Sequence, residues 1–194
     1  MCSCLDCFGW GAEDPQNLQL KIDIVFPNFH CESEKCSIHS PGIVENDELL
    51  AFLLIDPLHY DKEADVVVPE AFIELTNRDL SLLRVSYVTK ATAQTTKDGL
   101  IERGLQNVPP KTRLVDEVCL AAAEAIRSVV FEERRMFAVY DTGLKDCSGH
   151  ASIFTHTGVL SDRRMRKIAR QKIHEVMTQR KSSFSQFHAS LADP

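Results

Sequence analysis

Sulfur is crowded into the front of this chain. Cys2, Cys4, Cys7, Cys31 and Cys36 fall within the first 36 residues, and only Cys119 and Cys147 lie beyond them. "CLDC" sets Cys4 three residues before Cys7, and "CSIH" sets Cys36 three residues before His39. A two-residue gap fits a tight turn whose two side chains aim at one ion. Thiolate and imidazole together make the donor set that tetrahedral zinc takes. The spacing therefore predicts a structural zinc site held by Cys4, Cys7, Cys36 and His39, with Cys31, Cys2 and His30 as alternates. The set Cys4, Cys7, Cys31 and Cys36 would close the site equally well. Four protein ligands leave no open position for a catalytic water. An iron–sulfur cluster is the competing occupant, and it would leave His39 idle.

A second group of polar residues stands in apolar, strand-like surroundings: Ser81 and Arg84 in "DLSLLRVSYV" and His150 in "HASIFT". Arginine offers a fixed fork of donors to phosphate or carboxylate. Histidine moves a proton near neutral pH. If the three meet in one cleft, they form a catalytic site for a phosphate-containing substrate such as a nucleotide or RNA. The plain alternative is that Ser81 and Arg84 satisfy buried backbone groups and His150 caps a strand. Cys147 stands three residues before His150, but a thiol–imidazole nucleophile pair also needs a third group to orient it.

The third group is cationic. Arg163, Arg164, Arg166, Lys167, Arg170, Lys172, Arg180 and Lys181 face only Asp162 and Glu175 across residues 162–181, in a chain whose net charge is -6. Arg163, Arg164 and Lys167 would mark a docking face for an acidic protein or for nucleic acid. A solvated outer helix face is the simpler explanation. Arginines near the positive end of a helix carry a local cost, which favours a binding role.

The elements that must carry these residues can be read from periodicity. "LQLKIDIVF" (18–26) alternates apolar and polar residues and predicts a half-buried strand. "NDELLAFLLI" predicts a helix capped by Asn46 or Asp47 and stopped by Pro57. "ADVVVPEAFIEL" and "DLSLLRVSYV" read as short strands, and "ATAQTTKDGLIERGL" as a weak helix. "PPKTRLVDEVCLAAAEAIRSVVF" predicts the clearest helix, with Leu114, Val118, Ala121, Ala122, Ala125 and Val129 along one stripe. "RMFAVYD" and "HASIFT" predict two strands, and "SDRRMRKIARQKIHEVMTQRK" an amphipathic helix capped by Ser161. Residues 182–194 read as a flexible tail. Strands mixed with three or four helices, without strict alternation, predict an α+β fold with a small mixed or antiparallel sheet. The domain reading is a cysteine-rich appendage over 1–44, a module over 45–181 and the tail.

The bulk composition agrees with a globular domain. The 194 residues are 44% hydrophobic and 26% charged, enough to bury a core without help from metal or disulfides. The longest apolar run, "LLAFLLI", is far too short to span a bilayer. No basic region followed by a hydrophobic stretch opens the chain, so the expected location is the cytoplasm, with no membrane partner. In that compartment the cysteines are expected as thiols or metal ligands, not disulfides.

Residues 48–177 resemble a set of small, uncharacterised, soluble bacterial proteins. The matching positions are Ala71 and Phe72 of an "AF" pair, Leu80, Ser81 and Arg84 of a "dLSv-R" segment, and His150 and Ala151 of an "HA" dipeptide on a strand before a basic helix. "KDCSG" replaces the family's Pro-containing turn before His150. The resemblance implies positions and no reaction. The front is only zinc-ribbon-like. "HASI" (150–153) and "HASL" (188–191) also match the His-x-Ser-hydrophobic pattern of the 2H phosphoesterases, but nothing strand-like surrounds the second copy. The first functional expectation is a soluble accessory or interaction module with a structural zinc, binding a protein partner or nucleic acid. The second is a small enzyme using His150, Arg84 and Ser81.

Overall fold

The computed structural model describes residues 3–9 and 17–193. Its central strand is β1, Leu49–Asp56, in which every side chain from Leu50 to Ile55 is buried. A strand covered on both faces reads as an unbroken apolar run, so periodicity cannot separate it from a helix. The expected helix at 46–56 is thus a strand. Two residue pairs follow, β2 (Tyr60–Asp61) and β3 (Val66–Val67), and then a 3-10 segment, Pro69–Thr76. β4 (Leu80–Arg84) and β5 (Leu114–Ala122) come next, followed by the short pair β6 (Val130–Phe131) and β7 (Arg134–Arg135). β8 (Phe137–Tyr140), β9 (His150–Thr155) and β10 (Lys181–Ser183) complete the strands.

Six of them make one sheet in the order β10-β5-β1-β4-β9-β8, antiparallel throughout. The helices are α1 (Cys4–Gly9), α2 (Leu18–Val25), α3 (Lys90–Leu105), α4 (Ala123–Arg127), α5 (Thr157–Ser161), α6 (Arg163–Met177) and α7 (Phe184–Ser190). The fold is α+β. No helix among the described residues is long and apolar enough to cross a membrane.

One face of the sheet, carrying Leu50, Phe52, Leu82, Ala151 and Ile153, is sealed by Ala169, Ile173 and Met177 of α6 and by Phe72 and Leu75. The other face is covered from its two ends. Ala93 of α3 and Phe184, Phe187 and Leu191 pack on Val118 and Leu120 at one end. Cys4, Cys7, Ile22, Cys31 and Cys36 pack on Ala138, Tyr140 and Phe154 at the other. Between these covers Ser81 of β4 is exposed, while Leu53, Ile55 and Leu83 around it are buried.

Three segments depart from their local patterns. Residues 18–25 are a helix because their inward partners recur at helical spacing. Gln19 donates to the Thr155 carbonyl (2.9 Å), Ile22 is buried, and Asp23 accepts from Thr157 N (2.9 Å). Residues 114–122 are a strand because they pair with β1 from Leu49↔Ala122 to Asp56↔Leu114, and such tertiary pairing overrides alanine's helix preference. Only Ala123–Arg127 keeps the helix. Residues 181–190 are ordered: Lys181–Ser183 pairs with Cys119–Glu117, and Ser183 accepts from Gln186 N to cap α7. The basic helix forms as expected, capped by Asp162 instead of Ser161.

The C-terminal segment should therefore stabilise the domain. Phe187→Ala, which removes a ring only 3% exposed, is expected to cost about 3–5 kcal/mol, read as a lower urea midpoint with an unchanged slope. A loss below about 1 kcal/mol would mean α7 is loosely docked.

Candidate functional site

The open sheet face exists because β1 and β4 part company early. They pair only at Leu50↔Arg84 and Ala51↔Leu83, whereas β1 stays with β5 along its length and β4 stays with β9. Beyond that point Leu53 and Ile55 on one strand and Leu80, Ser81 and Leu82 on the other line a cleft of about 650 Å³. Its size suits a small organic ligand. Thr96, Leu100 and Arg103, one face of α3, form a wall, and Leu144, Cys147 and His150 form the opposite one.

Directly opposed residues in an antiparallel sheet share a face. Ser81 opposes Ser152 and His150 opposes Leu83, so Ser81 and His150 lie on the same face of the sheet and line this cleft. Ser81 is exposed although it sits in an inner strand, and its hydroxyl makes no hydrogen bond among the described residues. His150 Nδ1 lies 2.8 Å from Thr142 Oγ1 and 3.1 Å from the Thr142 carbonyl. Thr142 Oγ1 is in turn 2.9 Å from Ser152 Oγ. A carbonyl only accepts, so these contacts favour the proton on Nδ1 and leave Nε2 as an acceptor. Burial holds the imidazole neutral by lowering its pKa, against an opposing pull from Asp79.

Sequence reasoning missed His59, Arg103 and Arg113, which also line the cleft. Ile55 N donates to His59 Nδ1 at 3.2 Å, so the proton of the neutral ring sits on Nε2, a donor. The ring stacks on Phe52, with centroids 5.4 Å apart. Burial, and then the charge of Arg113, lower its pKa from 6.5 to about 4. Arg103 and Arg113 donate to the Gly99 and Leu100 carbonyls and join no ion pair among the described residues. Arg78 is bound to Glu74 at 2.8 Å. Neutral histidines, the Ser81 hydroxyl and two guanidinium groups that join no ion pair among the described residues thus border the apolar base of the cleft. No sequence signal marks the turn-borne His59 or Arg113. The 4-and-3 spacing of Thr96, Leu100 and Arg103 on a recognised helix was legible.

Arg84 does not join them. It opposes Leu50 and so belongs to the opposite sheet face. It is 1% exposed, and its Nε and Nη2 donate to Glu48 at 2.7 and 2.6 Å. Nη1 donates to the Gly42 carbonyl and Ser40 Oγ, and Nη2 also to the Ile43 carbonyl. This is the satisfying, structural role, not a catalytic one.

The sulfur-rich front is also rearranged. Cys4 and Cys31 are joined in a disulfide, against the expectation of thiols alone. Cys7 and Cys36 are buried thiols. His39 and His30 are exposed, His30 lying 3.6 Å from Glu34 and stacked on Phe26. The quartet ending in His39 is therefore not assembled, and Cys2 lies outside the described residues. In this state no group of three or more His, Cys, Asp or Glu among the described residues is placed to hold a metal ion. Arg163, Arg164 and Lys167 are exposed and join no ion pair among the described residues.

Two consequences are measurable. Glu48→Gln leaves Arg84 as an uncompensated buried charge and is expected to cost about 3–5 kcal/mol in chemical denaturation. A loss under about 1 kcal/mol would show that the carbonyls suffice.

His59 makes stability pH-dependent. The unfolded chain takes up this proton near 6.5 and the folded chain only near 4. Its contribution is therefore full above about pH 6.5 and lost as pH falls towards 4. The unfolding free energy of the wild type minus that of His59→Gln should drop by about 2.5 kcal/mol between pH 7 and 4.5. A constant difference would show that the ring titrates normally.

No family model matches the chain, and neither a curated protein nor a solved structure does, so its function rests on the chemistry of the cleft.

Proposed function

We propose that this protein is a binding module whose β1/β4 cleft takes a small anionic ligand with an apolar body. The observation that carries this reading is the cleft between β1 and β4 with Ser81 exposed in it. An inner strand of a sheet exposes Ser81 beside the apolar Leu53, Ile55 and Leu100 and the unpaired Arg103 and Arg113. A cleft with apolar side chains at its base and a few convergent polar groups is the usual form of a ligand site. The apolar body would lie on the floor. Its phosphate or carboxylate would meet Arg103 and Arg113, where charge-assisted bonds are strong. The Ser81 hydroxyl can donate to the same anion. His150 Nε2 supports a second reading, in which the ligand is also a substrate and the neutral ring accepts a proton from it. That reading relocates the expected phosphate chemistry from Arg84 to Arg103 and Arg113.

Titration calorimetry with phenyl phosphate, benzoate and benzyl alcohol tests the proposal. The two anions should bind saturably and more tightly than the alcohol. Arg103→Gln should weaken the anions about tenfold, and Ser81→Phe should abolish binding while leaving the melting temperature within a few degrees. Equal or absent binding of all three probes would sink it.

The exposed, unpaired Arg163, Arg164 and Lys167 on α6 favour a separate docking role, for an acidic protein or nucleic acid. The wild type should be retained on heparin at low salt and the triple Glu variant should not. Co-elution of the two would leave α6 a solvated face.

A further inference from the structure

Four cysteines of the sulfur-rich front have no part in the cleft, and three of the chain's segments bring them together. Cys4 and Cys7 lie one turn apart on α1, Cys31 on the 3-10 turn His30–Ser33, and Cys36 in the loop that follows. All four are at most 2% exposed, and all belong to one buried nucleus with Ile22, Tyr140 and Phe154. The disulfide uses only Cys4 and Cys31. Cys36 Sγ stays beside the bridge, 3.2 Å from the Cys31 carbonyl. Cys7 and Cys36 are buried thiols outside the bridge, and Cys36 Sγ also donates to the Glu34 carbonyl. Asp141 accepts from Cys36 N at 2.9 Å through Oδ1 and so fixes the loop that carries Cys36 against β8.

We infer that Cys4, Cys7, Cys31 and Cys36 form a redox-gated zinc site, filled when the Cys4–Cys31 bridge is reduced and emptied when it forms. The Cys4-x-x-Cys7 and Cys31-x4-Cys36 spacings suit two turns that each give two sulfurs to one tetrahedron. With Zn–S bonds of about 2.3 Å, the sulfurs of a filled site stand about 3.8 Å apart, and all four cysteines already belong to one buried nucleus. A disulfide sulfur is not a thiolate, which is why the bridged state offers no ligand group. The exposed His39 takes no part.

The chemistry balances in both directions. A dithiol reductant gives two electrons and two protons to the bridge and leaves as its own cyclic disulfide. Zinc then displaces one proton from each of the four thiols. In reverse, one hydrogen peroxide removes two electrons from the Cys4 and Cys31 thiolates and ends as two waters. Four protons are consumed, two in those waters and two on Cys7 and Cys36, and the zinc ion is released. Either state fastens α1, which at six residues is too short to persist alone.

The test uses the full chain, reduced with dithiothreitol in the presence of zinc, desalted and measured by elemental mass spectrometry. About one zinc per chain is expected. Peroxide should release it to a metallochromic dye as Cys4 and Cys31 become protected from alkylation. Cys7→Ser and Cys36→Ser should lose zinc yet still form the Cys4–Cys31 bridge. Their oxidised melting curves show that they fold. His39→Ala should keep zinc. The inference is overturned by reduced wild type with under a tenth of an equivalent, by bridging without zinc release, by serine variants that hold zinc fully, or by loss of zinc in His39→Ala. None of these outcomes depends on ligand binding in the cleft.

Discussion

The buried ion pair between Arg84 and Glu48 is the interaction on which this architecture turns. Arg84 stands at the last position where β1 and β4 still face each other, opposite Leu50. A guanidinium this deep is tolerated only if its charge is matched and its donors are filled. Five bonds, to Glu48, Ser40, Gly42 and Ile43, do that. All four of those partners belong to the loop entering β1, so the same contacts pin that loop to the sheet. Glu48 extends the lock, because its carboxylate accepts from Glu45 N and its carbonyl from Ala123 N. The loop then continues back to Cys36, whose amide is held by Asp141 next to β8. Glu32 adds a second anchor, accepting from Val139 N and Arg127. The sulfur-rich cover is thus positioned from both sides by buried charge.

The cleft is the complement of that lock. β1 commits its length to β5, and β4 commits to β9, so the two inner strands meet only near Arg84 and diverge beyond it. The cover built from α3 and α7 reaches Ala51, Leu53 and Ile55 of β1 and Leu83 of β4, and it leaves Ser81 exposed. The result is an apolar floor whose polar groups are pre-set by the backbone. Ile55 N fixes the proton of His59 on Nε2, and Thr142 orients His150. Charge enters from α3 and the segment after it, through Arg103 and Arg113, and from Glu74, Arg78 and Asp79 just before β4.

The α+β class, the strands at 80–84, 137–140 and 150–155, and the helices at 90–105 and 163–177 were legible from periodicity and capping. The failures share one cause, which is that distant partners decided what local pattern could not. "LLAFLLI" is apolar on every side because two layers cover it, and that erases the period-two signal. "LVDEVCLAAAEAIR" carries helix-favouring alanines, yet β1 claims the first part and leaves helix only where pairing ends. "LQLKIDIV" alternates like a strand, but its working contacts are Gln19, Ile22 and Asp23, a helical set visible only once Thr155 and Thr157 are in place. In the site, Ser81 and His150 were found and His59, Arg103 and Arg113 were not, since these last come from turns and one helix face joined only by the fold.

One constraint was available from the start and separates the residues correctly. Side chains alternate along a strand, so Ser81 and Arg84, three residues apart, cannot share a sheet face. Parity sends Ser81 to the side of His150 and Arg84 to the side of Leu50. The hydrogen-bond ledger then says which polar residue is structural. Arg84 has no donor left for a ligand. Ser81 has its whole hydroxyl free, and His150 has one nitrogen engaged and the other open. A polar group placed by the fold and then left partly unsatisfied in a cleft is free to act on something else, and in this sheet only the Ser81 and His150 side of β4 meets that condition.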